Sequence, residues 1–368
     1  MPGRQVLATE GSSVLDFLRA SAVSLVLIDH IVEATRNEPL VWVAQRLGWM
    51  GVMLFFVHTS LVLMFSLERT RAKGTALLKH FYVRRAFRIY PLSVFVVLAI
   101  LAFHLPVASS TYRSTVVSVP TAIANLLLVQ NLVYAPSVLG PLWTLPLEMQ
   151  MYVVLPLLFW IVSRGQRLGL SIVVWFVCVG LAFVQPLVIG RADVLQYAPC
   201  FMSGVLAFCL SKRQAAVWPF WIWVIALGAA MLAFLALAAP YGQATPMALS
   251  WGLSVTVGWL IPHFQETTSH VVRRVSAIIA KYSYGIYLMH TIALWVPLVA
   301  LSHASLATRV LAGASLIVLL PLLAYHLVEA PGIGMGAQLA ARFLERKTAF
   351  GNRAGAAASD SLMITTSS

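Results

Sequence analysis

Residues 121–134 read TAIANLLLVQNLVY, and the fold turns on whether they cross a membrane. The run is apolar, yet it carries Asn125, Gln130 and Asn131. As a helix rising about 1.5 Å per residue it spans about 21 Å, short of a hydrocarbon core about 30 Å thick. Longer apolar runs flank it on both sides, near 14–33, 48–67, 90–107, 143–163, 168–188, 195–211, 217–238, 246–263, 277–301 and 309–328. If 121–134 stays on one side, ten helices alternate and both termini share a face. That face then holds 20 of the 25 Lys and Arg residues, and only Arg36, Arg46, Arg113, Arg191 and Arg309 lie opposite. If the run spans, every later loop flips, and Arg164, Arg167, Lys212, Arg213, Arg273, Arg274 and the basic C-terminus face outward. Cytoplasmic loops carry the excess of Lys and Arg, which opposes the second arrangement. The sequence therefore predicts an all-α polytopic membrane protein of about ten transmembrane helices with both termini cytoplasmic. Residues 108–142 become an excursion on the outer face, and 121–134 is interfacial or re-entrant, packed on protein because broken backbone cannot face lipid.

Composition agrees. Of 368 residues 60% are hydrophobic and 10% charged, against about 45–50% and about 25% in soluble domains. The net charge of +13 sits mostly in short loops between apolar runs, so it reads as topology and excludes a basic module for nucleic acid. Cys178, Cys200 and Cys209 are isolated in apolar segments, with no metal-ligand spacing and no disulfide framework. No internal repeat is evident, which weakens an inverted-repeat transporter. The chain divides into a cytoplasmic N-terminus, 1–13, a transmembrane domain, 14–331, and a small-residue, largely disordered cytoplasmic tail, 332–368.

Ionisable residues at membrane depth cost about 2.5–3.5 kcal/mol on insertion scales, so each is a functional candidate. Arg19 and His30 in the first run are eleven residues apart, three turns, so they share a helix face about 16 Å apart along the axis. His30 is the best general base in the chain, since imidazole titrates near neutrality; a satisfied buried histidine is the plainer reading. Arg19 also reads as a snorkelling anchor. Asp29 points about 100° away from His30. Arg84, Arg85 and Arg88 gather on one turn of the loop ERTRAKGTALLKHFYVRRAFRIYP. Guanidinium groups there suit phosphate oxygens, and they equally suit topology and anionic lipid. In LWTLPLEMQMYVVLPLL, Glu148 and Tyr152 lie one turn apart near the outer end, where a carboxylate can orient a hydroxyl or a histidine. Trp143 beside them suits a sugar face or the aromatic belt. Ser283, Tyr287 and His290 share one face and read as interhelical glue. His326 and Glu329 read as a helix-stabilising pair. His58, His104, His263 and His303 have no partner motif and read as structural or interfacial.

Taken in order, these segments resemble the integral-membrane acyltransferase-3 family over about residues 14–331. The resemblance lies in LRASAVSLVLIDH, GVMLFFV, FYVRRAFRIYP, LWTLPLEMQMYVVLP, YAPCFMSGVLA, YSYGIYLMH and the closing EAP. It implies ten spanning helices, a bacterial inner-membrane location, and transfer of an acyl group, acetyl first, from cytoplasmic acyl-CoA to a carbohydrate or lipid-linked acceptor outside. No permanently bound cofactor and no metal are implied; the bilayer, acyl-CoA and the acceptor are the partners. Carried over, His30 and Glu148 are catalytic, Arg19, Arg85 and Arg88 bind acyl-CoA, and Asp29, Trp143 and Tyr152 serve the acceptor. The chain departs from the family where FFVHTS stands for the usual FFVLSG, where Met149 replaces a second Glu, and at Pro146. The competing reading is a transporter or flippase for a lipid-linked sugar or small solute.

Overall fold

The structure is a computed structural model that describes residues 11–33, 38–70, 72–103, 105, 117–163, 168–188, 193–213, 217–241 and 247–343. Among these, ten long helices match the ten apolar runs. They are α1 (Ser13–Glu33), α2 (Glu38–Arg69), α3 (Thr75–Phe103), α5 (Thr144–Ser163), α6 (Leu168–Val188), α7 (Asp193–Ser211), α8 (Phe220–Ala238), α9 (Met247–Leu260), α10 (His270–Trp295) and α11 (Leu306–Ala324), with the short α4 (Val119–Leu126) between α3 and α5. In hydrocarbon only a helix or a closed barrel satisfies its own backbone, and runs of this length and composition take the first solution.

Eight of the long helices are apolar and long enough to cross a membrane. The other two are α1, which carries Asp16, Arg19 and Asp29, and α9, with 14 residues before a 3-10 turn at Ile261–His263. Charge in one and brevity in the other set them apart from the expected ten. Of the basic residues behind the topology, Arg4, Arg36, Arg71, Arg113, Arg164, Arg167, Arg191, Arg346, Lys347 and Arg353 lie outside the described residues, as does His104.

The run 121–134 does not span. α4 covers eight residues and then turns back, with Leu128 and Tyr134 at φ 55° and 58°. Its polar residues make the turn. Asn125 Nδ2 donates to the Thr121 and Pro136 carbonyls at 2.9 and 2.8 Å, and its Oδ1 accepts from Val138 N at 3.0 Å. Gln130 donates to the Leu142 carbonyl, and Gln150 donates to Asn131. Tyr90 donates to the Leu127 carbonyl at 3.0 Å. Tyr90 lies about 20 Å back from the end of α3 at 1.5 Å per residue, so the segment folds back alongside the middle of α3.

α2 and α7 form the centre. Every residue of α7 from Tyr197 to Ser211 is buried. Small residues let backbones touch: a Cβ on Gly51 would meet the Ala22 carbonyl at 2.6 Å, and one on Gly204 would collide with Ser60 and the Val57 carbonyl. α6, α8 and α11 lie outside and expose Phe176, Leu181, Trp221, Ile225, Val310 and Leu311. Such a surface belongs in lipid. α1 packs on α2 and α10, and its start is closed by Glu266, whose carboxylate accepts from Ser12 Oγ at 2.8 Å and Ser13 Oγ at 2.6 Å. Lys212 at the end of α7 pairs with Glu68 at the end of α2. Among the described residues, Arg69, Lys212 and Lys281 lie toward this end of the bundle, called the basic end below.

The last helix differs from expectation. It does not stop at Pro331: a π-helical turn at Tyr325–Glu329 follows α11, and helix continues to Phe343, into the segment 332–368 expected as tail. Proline removes a backbone donor and crowds the preceding turn. The wider π turn just before it changes the hydrogen-bond register there, which lets the helix pass. Residues 344–368 lie outside the described ones.

Candidate active site

Three cavities lie in a row through the bundle, and Arg19 of α1 lines all of them. The largest, about 340 Å³, sits toward the basic end between Asp16, Lys281 and Tyr325. The middle one, about 70 Å³, shares Arg88 and His58 with it and adds Arg85, Glu148 and Tyr152. The third, about 60 Å³, lies toward the opposite end and is lined by Glu148, Thr144, Tyr287 and an apolar wall from α2. Neighbouring cavities share side chains: His58 and Arg88 belong to the first two, Glu148 and Thr59 to the last two.

Each helix delivers its group by its own periodicity. In α3, Arg85 and Arg88 are three apart and face inward together, while Arg84 is exposed. In α5, Glu148 and Tyr152 are one turn apart, and Tyr152 together with Thr59 of α2 hydrogen-bonds the Glu148 carboxylate. Arg19 Nε donates to Ser283 Oγ of α10 at 2.6 Å. Tyr284 donates to the Ile89 carbonyl at 2.8 Å, and its ring lies 5.6 Å under the Arg88 guanidinium. Arg88 is ion-paired with Glu329, whose side chain is fully buried. That contact is possible because Gly332 and Gly336 bring the last helix onto Phe87 and Pro91 of α3; a Cβ at 332 would meet Pro91 Cγ at 2.7 Å. Arg85 Nε is buried with no partner. The row thus holds three guanidinium groups and an ammonium, opposed by Asp16, Glu148 and Glu329. A cation excess with an unused donor suits an anion.

The structure brings together Arg19, Arg85, Arg88, Glu148 and Tyr152. His30 stands apart from them and lines none of the three cavities. Its ring, about one third exposed, lies 4.8 Å from that of buried His290, and the His290 ring lies 6.2 Å from that of Tyr287, which does line the third cavity. His30 Nδ1 is 3.2 Å from Glu33 Oε2. With the proton on Nδ1 toward that carboxylate, Nε2 is the free base. Asp29 turns to α2, where a Cβ on Gly48 would strike its carboxylate, and its Oδ1 is unpartnered. Trp143 stacks on Trp49 at 5.8 Å, with Tyr197 against both, beyond the third cavity.

Sequence reasoning missed several members. His58, read as structural or interfacial, lines two cavities, and Thr59 bonds Glu148. The departure FFVHTS was the signal for both. Glu329, read as partner to His326, pairs with Arg88, while His326 takes Tyr282 at 3.2 Å. Ser283 and Tyr287 do join helices, to Arg19 and to Thr144 at 3.0 Å, and both also face the cavity.

Comparison with protein families now decides the class, because the model described as acyltransferase domain, acyltransferase 3, matches residues 13–326. The chain belongs to the acyltransferase-3 family. The match takes in every helix from α1 to α11, and with them all the cavity residues named above except those after 326. Neither the curated proteins nor the solved structures gave a match. The cavity row is therefore the candidate active site of a membrane-embedded acyltransferase.

Proposed function

We propose that this acyltransferase moves an acetyl group from cytoplasmic acyl-CoA to a hydroxyl of a carbohydrate or lipid-linked acceptor at the outer face of the bacterial inner membrane. The observation that carries the reading is the row of cavities, cationic toward the basic end and ending in a carboxylate and hydroxyls. In this reading all ten long helices span, and the basic end and both termini face the cytoplasm, as the loop charges favour.

Acyl-CoA enters at the basic end, its phosphates on Arg85 and Arg88 with Arg19 alongside, and its thioester lies in the third cavity beside Glu148. The acceptor comes from the other face past Trp143. Its hydroxyl oxygen attacks the thioester carbonyl carbon, the C–S bond breaks, and the hydroxyl proton passes to His30 Nε2 and then to the departing CoA sulfur. Glu148 and Tyr152 orient the reacting groups. Tyr287 and His290 stand between His30 and the third cavity, so in this reading the proton crosses them to reach His30. Positioning two substrates from opposite sides supplies most of the rate.

The test is cleavage of radiolabelled acetyl-CoA by purified protein, with water or added glycan as acceptor. We expect turnover in the wild type and a loss of at least about 100-fold in His30→Ala. Absence of cleavage together with movement of an unmodified solute across vesicles would establish a transporter instead.

A further inference from the structure

The third cavity has a wall that the chemistry does not use. Val52, Phe55 and Phe56 of α2 and Leu145 of α5 close it with apolar surface, opposite the polar groups Glu148, Thr144 and Tyr287. On α2 these positions recur at i, i+3 and i+4, with Thr59 completing the same face at i+7. An apolar wall facing a few convergent polar groups is how a site holds a small apolar group in a fixed orientation.

The wall is also rigid in part. Phe56 is buried and stacked on Phe201 at 4.4 Å, and Val52 and Leu145 are buried. Phe55 is half-buried and touches Tyr287 edge to face at 5.8 Å. The cavity is small, about 60 Å³. An acetyl group has three non-hydrogen atoms and a hexanoyl group seven.

We propose that Phe55, backed by Val52 and Leu145, sets the length of the acyl group, admitting acetyl and refusing chains of four carbons or more. The inference rests on the function proposed above, since it places the thioester in this cavity, and it adds the residues that select the donor. In a pocket of this kind one methylene changes discrimination about 10- to 200-fold.

The experiment compares acetyl-, butyryl- and hexanoyl-CoA as donors, reading kcat/KM from CoA release by the purified full-length protein. The wild type favours acetyl over butyryl by at least 10-fold. Phe55→Ala, with Phe55→Leu as the milder change, reduces that preference at least 10-fold. Val52→Phe fills the cavity, lowering kcat for acetyl-CoA while affinity for free CoA stays within 2-fold. An unchanged chain-length profile in Phe55→Ala or Phe55→Leu, with acetyl transfer retained, would overturn the assignment of the wall and leave the acyl-CoA reading standing. Absence of CoA release from every donor by the wild type would overturn both.

Discussion

Glu329 has no solvent to turn to. Its side chain is fully buried, with Oε1 on Arg88 and Oε2 without a hydrogen-bond partner. Removing one member of such a pair leaves an uncompensated charge and costs about 3–5 kcal/mol. Glu329→Ala should therefore lower the thermal midpoint in detergent by several degrees, whereas Arg88→Met with Glu329→Leu should recover most of it, as the paired apolar replacement of buried ions does elsewhere. A midpoint unchanged in Glu329→Ala would remove the pair from the fold's support. This coupling also bears on donor binding. Arg88→Ala loses activity through Glu329 whatever Arg88 does for substrate, while Arg85, whose Nε is unpartnered, reports on the donor alone. Thr59 offers a second residue test: Thr59→Val keeps the shape and removes a hydroxyl from Glu148, and a loss in kcat of about 10- to 150-fold with unchanged donor KM is expected, from about 1.5–3 kcal/mol for a hydrogen bond to a charged group. Neither partnership was legible beforehand. His58 and Thr59 stood out only as a departure from a pattern, and Glu329 faces α3 because a π turn precedes Pro331, which no spacing rule anticipates.

Among the elements, the folded-back segment 121–134 carries the clearest sequence signal. Asn125, Gln130 and Asn131 interrupt an apolar run, and the structure spends all three on the return of the chain. Asn125→Ala strands the buried amide of Val138 and the carbonyl of Pro136, at about 1–3 kcal/mol. We expect faster proteolysis within 117–142 with the rest of the bundle intact; equal protection in variant and wild type would count against the staple. At the other end, the Glu266 carboxylate holds Ser12 and Ser13 at the start of α1. Glu266→Ala removes a cap worth about 0.5–2 kcal/mol, and because α1 carries Arg19 it should raise the donor KM as well as lower the thermal midpoint. Measuring both in one variant separates a cap from a spectator. The helices themselves were readable because length and apolar composition suffice for them in lipid. α1 and α9 were readable as helices too, but one is too charged and the other too short to count as spans on composition.

For the whole molecule, the sequence's uneven loop charges imply one basic end, and the described contacts join the ends of α2 and α7 and tie the start of α1 to Glu266. The cavity row was not legible, since it depends on how five helices and the last π turn are rotated about their axes, and hydropathy does not record rotation. The topology proposed here is testable with single cysteines in a background lacking Cys178, Cys200 and Cys209. Thr70→Cys should react with an impermeant maleimide only after cells are opened, and Ser305→Cys in intact cells; the reverse pattern would invert the membrane orientation. The measurement closest to the central claim is donor affinity. Acetyl-CoA binding to the purified protein should weaken at least 10-fold in Arg85→Ala at an unchanged thermal midpoint, whereas equal affinity in the two proteins would contradict a donor seated on this cavity row.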